Sequence, residues 1–338
     1  MEKIIDLRSD TTTLQSSNVI HAISNATVGD FAYGEDKSCN DLSEYCKQLF
    51  KVEEALFVTS GMLANRLAIA IQTSPGDELI TNYNYHINFF DSAGNAKVNN
   101  IVFNCIRNNS GILDVDEVEY AINSKPRYKI FAQVSLVSIE NSINGFNGKI
   151  YPFEKQNDVF THLDGARLFN ACAHTKISPK EYASYFDSVF IDFSKGLGAP
   201  MGAILLGSEE FIEKAWYYKF QIGGGMHQAG IISAACLYAL HNNINCLEED
   251  HKKMQHLIEG LDSIDQVIID IDLYKTNIAY FSLRTNCIST QELINVLVTN
   301  YGIRMANIRG KIRAITHRDI SYEDINTTVS AIRKILSK

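Results

Sequence analysis

Three apolar runs in this chain end on residues that can do chemistry. Residues 54–59 read EALFVT and pass through Ser60-Gly61-Met62 straight into a segment with helical spacing. A helix starting there aims unpaired backbone N–H groups and the positive end of its dipole at one point, which suits an anion. Ser-Gly also occurs at strand-to-helix turns for tight geometry alone. Residues 158–167 read DVFTHLDGAR and put Asp164 at a run's end, where a carboxylate is costly unless a cation or donor pairs with it. The same residue could instead cap a helix starting near Ala166, with Arg167 as that helix's surface charge. Residues 188–193 read SVFIDF and lead into Ser194-Lys195-Gly196. Desolvation at an apolar strand edge lowers an amine's pKa and makes it nucleophilic toward a carbonyl.

These residues need a scaffold that brings them together. Between residues 54 and 207 the runs EALFVT, DELITN, NIVFNCI, YKIFAQVSLV, DVFTHLD, SVFIDF and AILLG alternate with helical patterns such as 62–72 and 115–122. That alternation predicts an α/β fold with a mostly parallel seven-stranded sheet under helices. HQAGIISAACLYALHNN reads as a buried helix closing a large domain over 1–245, and 245–263 as a long amphipathic connection. VIIDID, NIAYFSL and GKIRAITH then read as strands, with QELINVLVTNY and 324–338 as helices, giving a small α+β domain over 246–338. Ligands of open α/β sheets sit beyond the strands' carboxyl ends, so the anion seat, carboxylate and lysine share one edge. Pyridoxal phosphate requires that trio: a phosphate seat, a carboxylate for its pyridine nitrogen and a lysine for its aldehyde.

With 338 residues, 46% hydrophobic and 21% charged, and only five prolines, the composition is that of a globular enzyme without disordered linkers. A net charge of −8 with scattered Lys and Arg argues against nucleic acid and anionic membranes as partners. The polar N-terminus lacks a signal peptide's apolar core, and the longest apolar stretch, 231–240, is far short of a membrane span. Seven cysteines with no CxxC pair read as reduced thiols in a cytoplasmic protein, and no metal site is indicated.

The stretches IDLRSDTTT, VGDFAYGED, ALFVTSGMLAN, HLDGARLFNA, DFSKGLGAPMGAILLG, IGGGMHQAG and IRAITHRD resemble, in order and spacing, those of the low-specificity L-threonine aldolases of the aromatic amino acid β-eliminating lyase group. The resemblance runs from Ile5 to about Asp319. It implies a fold-type I pyridoxal-phosphate architecture, active sites shared across a homodimer and commonly a homotetramer. By position, Lys195 resembles the Schiff-base lysine, Asp164 the partner of the pyridine nitrogen and Ser60-Gly61-Met62 the phosphate cup. His86 resembles the histidine over the ring face and is the candidate base. Ser9, Arg167 and Arg313 resemble the groups that hold the substrate carboxylate or ring oxygen. Tyr33 resembles a tyrosine near the site, and Gly223 to Gly225 a loop lining the neighbouring subunit's site. The implied reaction is retro-aldol cleavage of a β-hydroxy-α-amino acid, such as L-threonine or L-allo-threonine, to glycine and an aldehyde. Racemisation, β-elimination and carbon–carbon bond formation are alternatives on the same fold. A binding protein without catalysis is a third reading, opposed by the intact Lys195, Asp164 and Arg313.

The chain departs from the family pattern at Met62 (for Thr), Asp91 (for Glu), Ala93-Gly94 (for Gly-Gly), Ile143 (for His), Phe220 (for Lys) and His227 (for Arg). A site that trades His, Lys and Arg for Ile, Phe and His is less cationic. The expectation is a substrate with a larger or more apolar β-group than threonine, packed beside Ile143 and Phe220.

Overall fold

A computed structural model describes residues 3–91, 93–126, 128, 130–151, 159–284 and 288–337. Asp158 of the DVFTHLD run, Cys287 and the final Lys338 lie outside the described residues. The apolar runs form the expected sheet, although YKIFAQVSLV enters it only from Val134 and its Lys129 lies outside the described residues. After a two-residue strand β1 (Ile5–Asp6), its strands are β2 (Glu54–Val58), β3 (Glu78–Asn82), β4 (Val102–Ile106), β5 (Val134–Glu140), β6 (Phe160–Gly165), β7 (Ser188–Asp192) and β8 (Ala203–Gly207). Their spatial order is β2-β8-β7-β6-β5-β3-β4, and only β8 runs antiparallel to its neighbours. All of β3 and β8 is buried, as expected for strands covered on both faces. Helix Gly61–Gln72 lays Ala64, Leu67 and Ala68 on the sheet, and helix Gly230–Asn243 is the buried closing helix.

A second, antiparallel sheet has the order β12-β13-β10-β9, from β9 (Val267–Ile268), β10 (Ile278–Leu283), β12 (Ala306–Ile308) and β13 (Lys311–Ile315). The remaining strand, β11 (Ile303–Arg304), pairs in parallel with β1, so Ile5 and Leu7 pack in the same apolar core as Leu257, Phe281, Leu297 and Ile312. The run VIIDID yields only two strand residues. Asp270 turns the chain, its side chain accepting the Asp272 N–H and starting a 3-10 turn over Ile271–Leu273. Helix Leu247–Asp262 joins the two cores and buries Leu247, Met254, Leu257, Ile258 and Leu261, an apolar stripe at helical spacing. The six described cysteines are free thiols, and among the described residues no helix is long and apolar enough to cross a membrane.

Candidate active site

Strands β2, β3, β5, β6 and β7 are mutually parallel, so their carboxyl ends meet on one edge of the sheet. A cavity of about 400 Å³ opens there, and Ser60, Gly61, Met62, His86, Asp164 and Lys195 all line it.

The first wall is the start of helix Gly61–Gln72. Ser60 is extended at φ −159°, and its Oγ accepts the Leu63 N–H at 3.3 Å. The earliest N–H groups of a helix have no partner within it, and here the residues that carry them, Gly61 and Met62, line the cavity. A Cβ on Gly61 would lie 2.7 Å from the Phe190 ring, so only glycine lets the helix come this close to β7.

Asp164, near the end of β6, is 2% exposed. Its Oδ2 accepts from Asn65 Nδ2 at 3.0 Å and its Oδ1 from the Ala166 N–H at 3.2 Å. The helix that follows begins at Leu168 with Arg167 in the capping position, so Asp164 is not its cap. Behind Asp164 runs a buried chain whose directions are fixed throughout. A carboxylate only accepts, so Asn65 donates through Nδ2, and its Oδ1 must accept from His162 Nε2 at 2.9 Å. His162 Nδ1 then accepts from Ser188 Oγ at 2.8 Å, and Ser188 accepts from Gln72 Nε2 at 2.7 Å. His162 is wholly buried, and burial pushes its pKa down to about 4, which keeps the imidazole neutral as this chain requires.

Lys195 Nζ is 3.4 Å from Asp192 Oδ2, and the lysine side chain is 13% exposed. Asp192 Oδ1 accepts both the backbone N–H and the hydroxyl of Ser194 at 2.7 Å, which fixes the turn that presents Lys195.

His86 starts a short helix after β3 and stacks on Phe90 with ring centroids 5.2 Å apart. Its Nδ1 lies 2.9 Å from Asp91 Oδ1. Burial works to lower the imidazole pKa, but the carboxylates of Asp91 and Asp164 outweigh it and the pKa is raised. Glu140, buried at the end of β5, accepts the His86 N–H on Oε2 at 2.5 Å and the Asn144 N–H on Oε1 at 2.7 Å. Burial, with the nearby Asp164 charge, pushes Glu140 up to about 7.

From the second sheet, Arg313 on β13 donates from Nη1 to Asn144 Oδ1 at 3.2 Å and from Nη2 to the Arg8 carbonyl at 2.9 Å. Among the described residues its buried Nε has no hydrogen-bond partner. Ser9 caps the 3-10 turn Asp10–Thr12, its Oγ accepting the Thr11 N–H at 3.2 Å.

Other residues singled out in the sequence are already paired or lie outside this cavity's lining. Arg167 is not a free clamp: Nε and Nη2 donate to Asp10 at 2.8 and 2.6 Å in a buried pair. Burial would raise the Asp10 carboxyl, but Arg167 holds it well below the usual carboxylate range. Tyr33 is 79% exposed and absent from the cavity lining. His227, on the loop after Gly223 to Gly225, points its Nδ1 at Asp30 Oδ2, 3.0 Å away. Ser9, Arg313, Ile143 and Phe220 do not line the cavity either. Ile143 is completely buried in an apolar cluster with Tyr85, Ile87 and Leu136, because an aliphatic side chain gains more from that cluster than from a polar edge. Phe220 sits at the end of helix Glu209–Gln221 and is 41% exposed. Within this chain Ile143 is closed off from the cavity, and Phe220 keeps an exposed face outside it. Asn65, Asp192, Glu140 and Asp10 escaped sequence reasoning. Asp192 and Glu140 end apolar runs, a signal that could have found them; Asn65 and Asp10 carry none.

The architecture defines the class: this is the fold-type I scaffold of pyridoxal-phosphate enzymes. Solved structures with the same fold include a threonine aldolase from Leishmania major (TM-score 0.82, 17% identity, covering 98% of this chain and 99% of that one). A putative L-allo-threonine aldolase from Listeria monocytogenes gives a TM-score of 0.80 at 19% identity, covering 98% and 96%. The chain belongs to the beta-eliminating lyase family, whose family model matches residues 6–284. Among curated relatives, the low specificity L-threonine aldolase of Escherichia coli strain K12 is 34% identical over 349 residues, 99% of this chain and 100% of that protein. A probable low-specificity L-threonine aldolase of Arabidopsis thaliana is 32% identical over 353 residues, 98% of this chain and 97% of that protein.

Proposed function

We propose that this protein is a pyridoxal-phosphate-dependent aldehyde-lyase that cleaves a threonine-like β-hydroxy-α-amino acid into glycine and an aldehyde. The observation that carries the reading is the single cavity joining a helix start, a buried carboxylate, a lysine and a histidine. The residues fit the cofactor. Ser60, Gly61 and Met62 offer backbone N–H groups in a cradle that a Cβ at residue 61 would fill, which suits a phosphate. Asp164, with its charge held by Asn65 and the Ala166 N–H, suits a protonated pyridine nitrogen, and Lys195 suits the carbonyl.

When bound, the cofactor supplies the electron sink for the bond broken at Cα. The protein does the rest. Arg313 offers an unpaired Nε–H to the substrate carboxylate, with Ser9 in the adjoining segment. The Asp91 carboxylate, 2.9 Å from Nδ1, favours a proton on that nitrogen, which leaves Nε2 as the acceptor for the β-hydroxyl proton. Lys195 returns a proton to Cα after cleavage. The assembly expected with this reading is a homodimer or homotetramer whose subunits share their sites.

Lys195→Ala tests the assignment. The wild-type protein should be yellow and release glycine from threonine, and the variant should lose the covalent linkage and turnover. A colourless wild type that takes up no cofactor would overturn the proposal.

A further inference from the structure

A second cavity, of about 220 Å³, adjoins the first, and Phe90 belongs to the lining of both. We propose that it receives the substrate's β-substituent and selects an aromatic ring carrying a carboxylate at the end remote from Cβ. This rests on the reading of the Lys195 cavity as the reaction centre.

The walls are aromatic: Phe89, Phe90, Phe146 and Tyr280. An apolar cavity of about 150 Å³ is enough to hold benzene, so this one has room for a substituted ring. It also lies where a substrate's side chain would point. Tyr280 on β10 is the register partner of Arg313 on β13, so the two side chains project from one face of the small sheet. Gly145 and Phe146, in the wall, directly follow Asn144, which accepts from Arg313. A carboxylate held at Arg313 and a reacting carbon beside His86 therefore leave the β-substituent facing Phe90.

The mouth carries two cations, Arg309 and Lys311, and among the described residues neither pairs with a carboxylate. Arg309 is nonetheless fixed in place. Its Nη1 donates to Asn84 Oδ1, and its guanidinium lies 3.8 Å from the Phe89 ring centroid and 4.9 Å from that of Tyr83. One of its five donors is engaged there, and the rest of the fork suits a carboxylate. The backbone adds an independent sign. Arg309 (φ 54°) and Gly310 (φ 82°) form the two-residue turn between β12 and β13, where both central residues have positive φ and Asn, Asp or Gly is the usual first residue. A long side chain there is strained by about 1–2 kcal/mol, and such strain persists where placing the side chain matters. Finally, Tyr280, whose buried hydroxyl interacts with the Arg313 guanidinium, lines the wall and so joins this cavity to the residue proposed to hold the substrate carboxylate.

The test compares kcat/KM for β-(4-carboxyphenyl)serine, β-phenylserine and threonine in the cofactor-loaded protein and in Arg309→Gly and Lys311→Gln. Glycine relieves the turn, so Arg309→Gly should fold at least as stably as wild type. Wild type should favour the carboxyphenyl over the phenyl substrate by about ten-fold, and each variant should shrink that ratio toward one. Threonine cleavage should stay within about two-fold of wild type in both variants. A wild type indifferent to the carboxylate, or variants that keep the preference, would overturn the proposal. If no substrate is cleaved, the reaction assignment fails, and calorimetric binding of the two aryl compounds still decides the pocket. Tighter carboxyphenyl binding that Arg309→Gly abolishes supports it, and equal binding of the two to wild type refutes it.

Discussion

His86 illustrates how a single side chain's surroundings set its chemistry. Burial favours the neutral ring, whereas Asp91 and Asp164 favour the imidazolium, and the carboxylates prevail. A base must be deprotonated, so kcat/KM should rise with pH on an acid limb centred above the ordinary histidine value of about 6.5. Asp91→Asn removes the strongest raising partner and leaves burial in place, so the limb should move to lower pH. A pH profile on the two proteins reads this directly; an unmoved limb would mean that His86 is not the base. The chain Gln72–Ser188–His162–Asn65–Asp164 makes a second residue-scale case. Asn65→Ala leaves the His162 Nε2–H and Asp164 Oδ2 without partners at a cost of about 1–3 kcal/mol each. Turnover should fall about ten- to a hundred-fold and the cofactor should dissociate faster, measured by kinetics and by absorbance after dilution. Nitrogen NMR of His162 should show the Nε2–H tautomer in wild type.

At the scale of elements, the meeting of helix Gly61–Gln72 with strand β7 builds the anion cradle. The approach is so close that one methyl group decides it: a Cβ at residue 61 would press on Phe190, which is 2% exposed and has little room to yield. Gly61→Ala should push the helix start away from β7, destabilising the fold by about 1–3 kcal/mol and weakening cofactor retention. Denaturant unfolding and a cofactor titration measure the two effects. Unchanged retention would show that the anion does not sit on this helix start.

Across the whole molecule, helix Leu247–Asp262 ties the two cores together and carries a buried acid, Asp250, 1% exposed. Its Oδ1 is 3.3 Å from Lys253 Nζ, and among the described residues its Oδ2 has no hydrogen-bond partner; burial pushes the pKa up to about 7. A carboxyl raised in the folded state contributes stability that is present below its unfolded pKa and lost as pH climbs through the folded one. Relative to Asp250→Asn, wild type should therefore lose stability from about pH 4 to about pH 7, by up to about 1.4 kcal/mol per pH unit. Urea unfolding of both proteins at several pH values tests this; a constant difference would show that Asp250 stays ionised throughout.

The alternation of apolar runs and helical patterns determined the seven-stranded sheet, and the ends of those runs determined Ser60-Gly61-Met62, Asp164 and Lys195. Both are local properties: a buried parallel strand must be apolar along its length, and its carboxyl end is where a polar residue can meet a ligand. What the sequence left open depends on approaches between distant residues. Strands β1 and β11 are two residues each, too short for any periodicity, and pair across almost the whole chain. Arg167 looked free until Asp10, 157 positions away, closed on it. Ile143 looked like part of a substrate wall until the apolar cluster beneath it proved the better place for its side chain. Only the tertiary structure decided such choices, because burial and hydrogen bonding act between groups that the backbone brings together after their local preferences are already satisfied.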